Sequence, residues 1–300
     1  MDLPAEPINP TPNAHNMMVP VNSLNWRGKV CLLLGTILNI GVFKFVATAI
    51  RFPETPLSSV SLLQQPSPVI ALLAILLTIL ICTTAGTIIA GSIREDAGLF
   101  CACGALIFLS TRGGTLRETL LASSGDKVYL QLALESTAFV VMVSLAAGVI
   151  SLFRQIAWVS DDDLNDGFTR SIESPAAKAG ALIVSLTAYL AIVFLLAQSD
   201  RKSQVLAASA IAGVLSTLLA HYLFPVKPAG CFYLTPLLCG IIGQLAVYLT
   251  HPAGIEVGHV YSVLAPFARV LPIDHASAGV AGSLAGYWLS RRMHVVDGED

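Results

Sequence analysis

The chain is a succession of long apolar runs separated by short polar connectors. The runs are Val30 to Ile50, Pro68 to Gly91, Ala97 to Thr111, Val128 to Phe153, Ala179 to Gln198, Val205 to Phe224, Gly230 to Thr250 and Ala276 to Ser290. Hydrocarbon about 30 Å thick is crossed by about 20 apolar residues in a helix, and six of the eight runs reach that length. The third and the eighth have only 15 residues free of charge. That is about 22 Å of helix, so each must thin the bilayer, extend into its flanks, or fail to cross. The pattern predicts an all-α integral membrane protein, a bundle of seven or eight transmembrane helices with short loops.

Outside the runs, residues 1–25 hold five prolines, five asparagines and no Lys or Arg, a composition expected of a disordered polar tail rather than a secretory signal. Residues 26–292 form the expected polytopic domain, and 293–300 a short acidic tail.

Composition agrees with lipid as the solvent. With 55% hydrophobic and 12% charged residues in 300, the chain cannot cover a soluble globule with polar surface. The bilayer is therefore its expected main partner, with a membrane protein or a second copy of the chain as further candidates. A net charge of −2 disfavours nucleic acid. The six cysteines fall inside apolar runs, where they read as small hydrophobes, and no cofactor signature is present. Basic residues set orientation in short loops. An N-terminus inside the cytoplasmic membrane and eight crossings put nine Lys and Arg inside and seven outside, with Lys44 within a span, a narrow margin for that orientation.

Small residues recur where helices must approach closely. Ala278, Gly282 and Gly286 lie four apart on one face of the eighth run, and Ser209, Gly213 and Thr217 form a similar stripe in the sixth. Both predict helix packing.

Polar residues inside the runs are the candidates for function. Lys44 is seven residues before Arg51, Glu135 eight after Lys127, and Gln244 seven before His251. At 1.5 Å per residue each lies about 10 to 12 Å from its boundary, and strict alternation of crossings brings all three to one leaflet. The expectation is a Lys44–Glu135 ion pair facing the interior, with Gln131 one turn from Glu135 and Gln244 nearby. The bland alternative is a snorkelling Lys44 and a Glu135 hydrated at the headgroups. Gly240, Gln244, Tyr248 and His251 give the seventh run a polar face, and Pro236 can kink it.

The loops offer weaker motifs. His251, Glu256, His259, Asp274 and His275 combine imidazole and carboxylate, which suits a transition metal, but no ligand spacing such as HExxH orders them. Interfacial histidines and an Asp274 helix cap explain the same residues, and Val260 to Val270 reads as an interfacial or re-entrant segment. Asp162, Asp166, Gly167 and Glu173 match part of a calcium loop, but Leu164 and Arg170 stand at ligand positions, so a solvated acidic loop is the better account. Arg112 and Arg117 beside a glycine pair could meet a phosphate or headgroup, without a P-loop arrangement. Intramembrane charge favours a transporter- or channel-like role for a small solute or ion. A non-transporting membrane subunit that docks another protein comes second, and an intramembrane or metal-dependent enzyme third.

Overall fold

The computed structural model describes residues 26–49, 61–65, 67–91, 93–94, 96–122, 127–155, 174–227, 229–250 and 265–296. All regular structure among them is helical. In chain order the helices are α1 (Trp26–Ala49), α2 (Pro68–Ala90), α3 (Ala97–Arg112), α4 (Leu116–Ala122), α5 (Val128–Gln155), α6 (Pro175–Leu196), α7 (Lys202–Leu223), α8 (Gly230–Tyr233), α9 (Thr235–Thr250), α10 (Ala265–Arg269), α11 (Pro272–Asp274) and α12 (Val280–Val296). A 3-10 turn at Leu62–Gln64 precedes α2, and a π-helical turn at His275–Gly279 joins α11 to α12.

The protein is an all-α membrane bundle. Among the described residues, six helical stretches are long and apolar enough to cross a membrane: α1, α2, α5, α6, α7, and α8 with α9. The shorter apolar α3 makes a seventh, so the expected count of seven or eight narrows to six or seven. The eighth run accounts for the difference. Its helix α12 has 17 residues, and the segment from Ala268 to Leu284 is buried throughout. A helix sheathed by protein need not be apolar on every face, which is why its hydropathy falls below that of its neighbours.

Local signals explain where the helices begin. Ser174 caps α6 by accepting the Ala177 N–H at 3.1 Å, with Pro175 at the first helical position, so the helix starts four residues before the apolar run expected at Ala179. Thr115 and Glu118 form a capping box at α4: Thr115 N–H donates to Glu118 Oε2 at 2.8 Å, and Glu118 N–H to Thr115 Oγ1 at 3.4 Å. Within the long helices, Thr78, Thr84, Thr87 and Thr137 donate to carbonyls four residues back, which keeps their hydroxyls satisfied away from water.

The close approach of α7 and α12 sets the centre of the bundle. A Cβ on Gly282 would lie 2.3 Å from the Ala210 carbonyl, one on Gly286 2.4 Å from that of Val214, and one on Gly213 2.5 Å from that of Gly279. Backbone meets backbone there, the geometry that small-residue stripes permit. Ala278, the remaining member of the α12 stripe, is buried beside them in the π turn. Helices α3, α8 and α9 close around α12, while α1 packs on α2 and α3 at the edge.

Candidate functional site

Asp274 and His275 stand where α11 passes into the π turn, and both are buried. Pro272 at the first helical position and the Asp274 carboxylate start this helix together, Oδ2 accepting the Leu271 N–H at 3.1 Å. The other carboxylate oxygen accepts the Ser110 hydroxyl of α3 and lies 2.6 Å from the Lys202 ammonium at the start of α7. An acid buried inside the bundle is thus held by a full positive charge and two neutral donors.

The next residue extends the polar set toward α6 and α7. His275 Nδ1 is 3.0 Å from the Tyr189 hydroxyl of α6, which is 2.7 Å from Ser209 Oγ of α7. Ser209 Oγ in turn donates to the Asp274 carbonyl at 3.4 Å. Two glycines make room for these groups. A Cβ on Gly279 would meet the Tyr189 and Ser209 oxygens at 2.9 Å, and one on Gly240 would meet His275 Cδ2 at 2.8 Å. Around Gly240 a second polar group converges, because Ser136 Oγ of α5 donates to Gln244 Oε1 of α9 at 3.0 Å. Gln244 Nε2 and His275 Nε2 are buried and have no hydrogen-bond partner among the described residues.

Glu135 lies one residue before Ser136. It accepts from the Ser61 hydroxyl, from Leu62 N–H at 2.9 Å and from Leu63 N–H, so it caps the buried 3-10 turn that leads into α2. Among the described residues its partners are these three neutral donors, and α11, which carries Asp274, packs on α5. Lys44 is exposed on α1 and forms no ion pair among the described residues. The expected Lys44–Glu135 pair is therefore not the arrangement in the structure: the backbone of the 61–63 segment occupies the position anticipated for an ammonium. Gln131 is half-buried one turn away, and Gln244 is fully buried.

Above this interior, at the end of the bundle where α6 turns into α7, is an open cleft of about 450 Å³ lined by Thr115, Arg117, Glu118, Asp200 and Arg201. Arg269 of α10 braces it, with Nε 3.2 Å from Asp200 Oδ1 and one terminal nitrogen donating to the Ala197 carbonyl at 2.9 Å. Burial pushes the Asp200 carboxyl up, partly offset by the Arg269 and Arg117 guanidinium groups.

Of the residues considered for a metal, His251, Glu256 and His259 lie outside the described residues, as does the acidic loop from Asp161 to Glu173. Asp274 and His275 are engaged by Lys202 and Tyr189. Among the described residues no three His, Cys, Asp or Glu side chains gather to hold a metal ion. The segment expected to be interfacial or re-entrant, Val260 to Val270, is described only from Ala265, and there Ala268, Arg269 and Val270 are buried. Sequence reasoning did not single out Ser61, Ser110, Ser136, Tyr189 or Lys202. Lys202 carried a usable signal as the cation that opens an apolar run, whereas single hydroxyls in apolar runs carry none. Protein-family models, curated proteins and solved structures yielded no match to this chain.

Proposed function

We propose that the chain is a transporter-like membrane protein that passes a small solute or ion through the polar interior between α5, α6, α7, α9 and the π turn. The supporting observation is the convergence on one buried region of Asp274, Lys202, His275, Tyr189, Ser136 and Gln244, with two polar atoms, Gln244 Nε2 and His275 Nε2, unpartnered among the described residues. Ionisable residues inside a membrane bundle are costly to place and mark solute pathways and proton relays. The π turn has the same bearing, since such turns within helices occur frequently at functional sites. The cleft at Asp200 and Arg201 provides the mouth. A docking subunit built on small-residue stripes is less favoured, because Gly213, Gly282 and Gly286 are already occupied within the chain. The same proposal keeps the protein in the cytoplasmic membrane with its N-terminus inside, the side on which Arg27 and Lys29 precede the first span.

Water access decides the matter. In a variant whose six cysteines are replaced, Ser136→Cys and Gln244→Cys should react with a small hydrophilic thiol reagent, while Val143→Cys, buried in the apolar core of α5, should not. Protection of both polar positions would refute a solute path.

A further inference from the structure

We propose that Glu135 holds one exchangeable proton, since of the two buried acids Glu135 and Asp274 only Asp274 has an ammonium, Lys202, beside it among the described residues. The coupling of transport to that proton rests on the transport reading; the proton site itself does not.

The argument begins with charge. Asp274 has Lys202 at 2.6 Å, whereas the partners of Glu135 are Ser61, Leu62 and Leu63, all neutral donors. Helix α11, which carries Asp274, packs on α5, which carries Glu135, and each carboxyl group is at most 2% exposed. Two carboxylates against one ammonium leave an excess negative charge in an apolar interior, the arrangement a low dielectric penalises most.

Neighbouring elements do not remove that excess among the described residues. Helices α2 and α9 contain no charged residue, nor does the Leu62–Gln64 turn. On α3 the only charge is Arg112, exposed at the helix end; Lys127, exposed, stands just before α5, and Arg154 of α5 lies 19 residues on from Glu135 in the last turn. The π turn brings His275, whose Nδ1 is engaged by Tyr189. Lys44 of α1 is exposed. One proton from the medium balances the set.

Glu135 is the acid to hold it, because Asp274 already has its counter-charge and Glu135 has none among the described residues. Its surroundings accept either state. When ionised, it takes hydrogen bonds from Ser61 Oγ and the backbone N–H groups. On protonation an O–H bond forms at Oε2, the Ser61 hydroxyl rotates so that its oxygen accepts from it, and the Leu62 N–H keeps donating to the remaining lone pair of Oε2. No other bond is made or broken.

The test is infrared difference spectroscopy of the full-length protein in lipid nanodiscs, between neutral and strongly alkaline buffer. The wild type should show a protonated-carboxyl C=O band at neutral pH. Glu135→Gln should abolish it, and Ser61→Ala should keep it at a shifted frequency, since the hydrogen-bond partner is gone. Asp274→Asn should also lose it, because one acid and one ammonium then balance. A wild type with no such band, or a band that survives Glu135→Gln, would overturn the proposal. The two readings fail separately: a band as expected in protein whose Ser136→Cys and Gln244→Cys stay unlabelled sinks transport and leaves the proton site, and labelling without a band does the reverse.

Discussion

Helix α1 and helix α12 sit at opposite extremes of exposure. On α1, Leu33, Leu34, Ile37 and Leu38 are each more than half exposed, and Lys44 faces out as well. On α12 and the π turn before it, Ser277, Ser283 and Ser290 are buried with the small residues. The difference shows how a membrane bundle divides its residues. Lipid accepts apolar outer faces, so the outward face of α1 is mostly greasy, with Lys44 toward its end, whereas the stretch from α11 to α12 is surrounded by protein and holds hydroxyls, an imidazole and a carboxylate.

The contrast can be broken with matched substitutions. The largest effect is expected from charge. Asp274→Ala strands Lys202 and should destabilise the fold by about 3–5 kcal/mol, while Lys44→Ala on α1 should stay within about 0.5 kcal/mol of wild type; thermal unfolding in detergent reads both. Steric contrast comes next. Gly282→Leu would drive a side chain into the Ala210 carbonyl, and Gly41→Leu meets nothing within 4 Å. The first should cost at least the upper part of the about 1–3 kcal/mol seen on overpacking, and the second should be near neutral or slightly stabilising, by up to about 1 kcal/mol. Equal losses at both glycines would erase the distinction.

Glu135→Ala leaves the Leu62 and Leu63 N–H groups and the Ser61 hydroxyl without their acceptor. A loss of about 1–3 kcal/mol is expected, with faster amide exchange at Leu62 and Leu63 and no change in the middle of α1. The smallest effect lies at the cleft. Because burial raises the Asp200 carboxyl, it takes up a proton at a higher pH than an exposed aspartate, and acidification should free Arg269 from it. The sign for stability is opposite to intuition. The folded state binds this proton more readily than the unfolded one, so the contribution of Asp200 improves as pH falls through the raised value. The bridge itself is partly exposed and worth under about 1 kcal/mol. A pH-dependent labelling rate at Thr115→Cys that Asp200→Asn abolishes would be the expected signature.

Much of the framework was legible in the residues. Runs such as Pro68 to Gly91 and Gly230 to Thr250 coincide with helices to within one residue, because twenty apolar residues have few other stable fates in lipid. Partners were not legible. The apolar runs assign Glu135 a depth, but depth says nothing about rotation around the helix axis or about which loop folds inward. Its acceptor oxygens went to Ser61, Leu62 and Leu63, from a connector with no apolar signal. Lys202 stands just before an apolar run, and only the packing of α7 against α11 makes it the counter-ion of Asp274.

What the sequence determined by itself is the solvent, the secondary structure and the places where backbones approach, since hydropathy, caps and small-residue spacing act over a few residues. The tertiary structure alone decided which helix is central and which polar atoms meet, because those depend on contacts between residues as far apart as Ser110 and Asp274, or Tyr189 and His275. Such encounters are fixed by how whole helices pack, and no local rule encodes them.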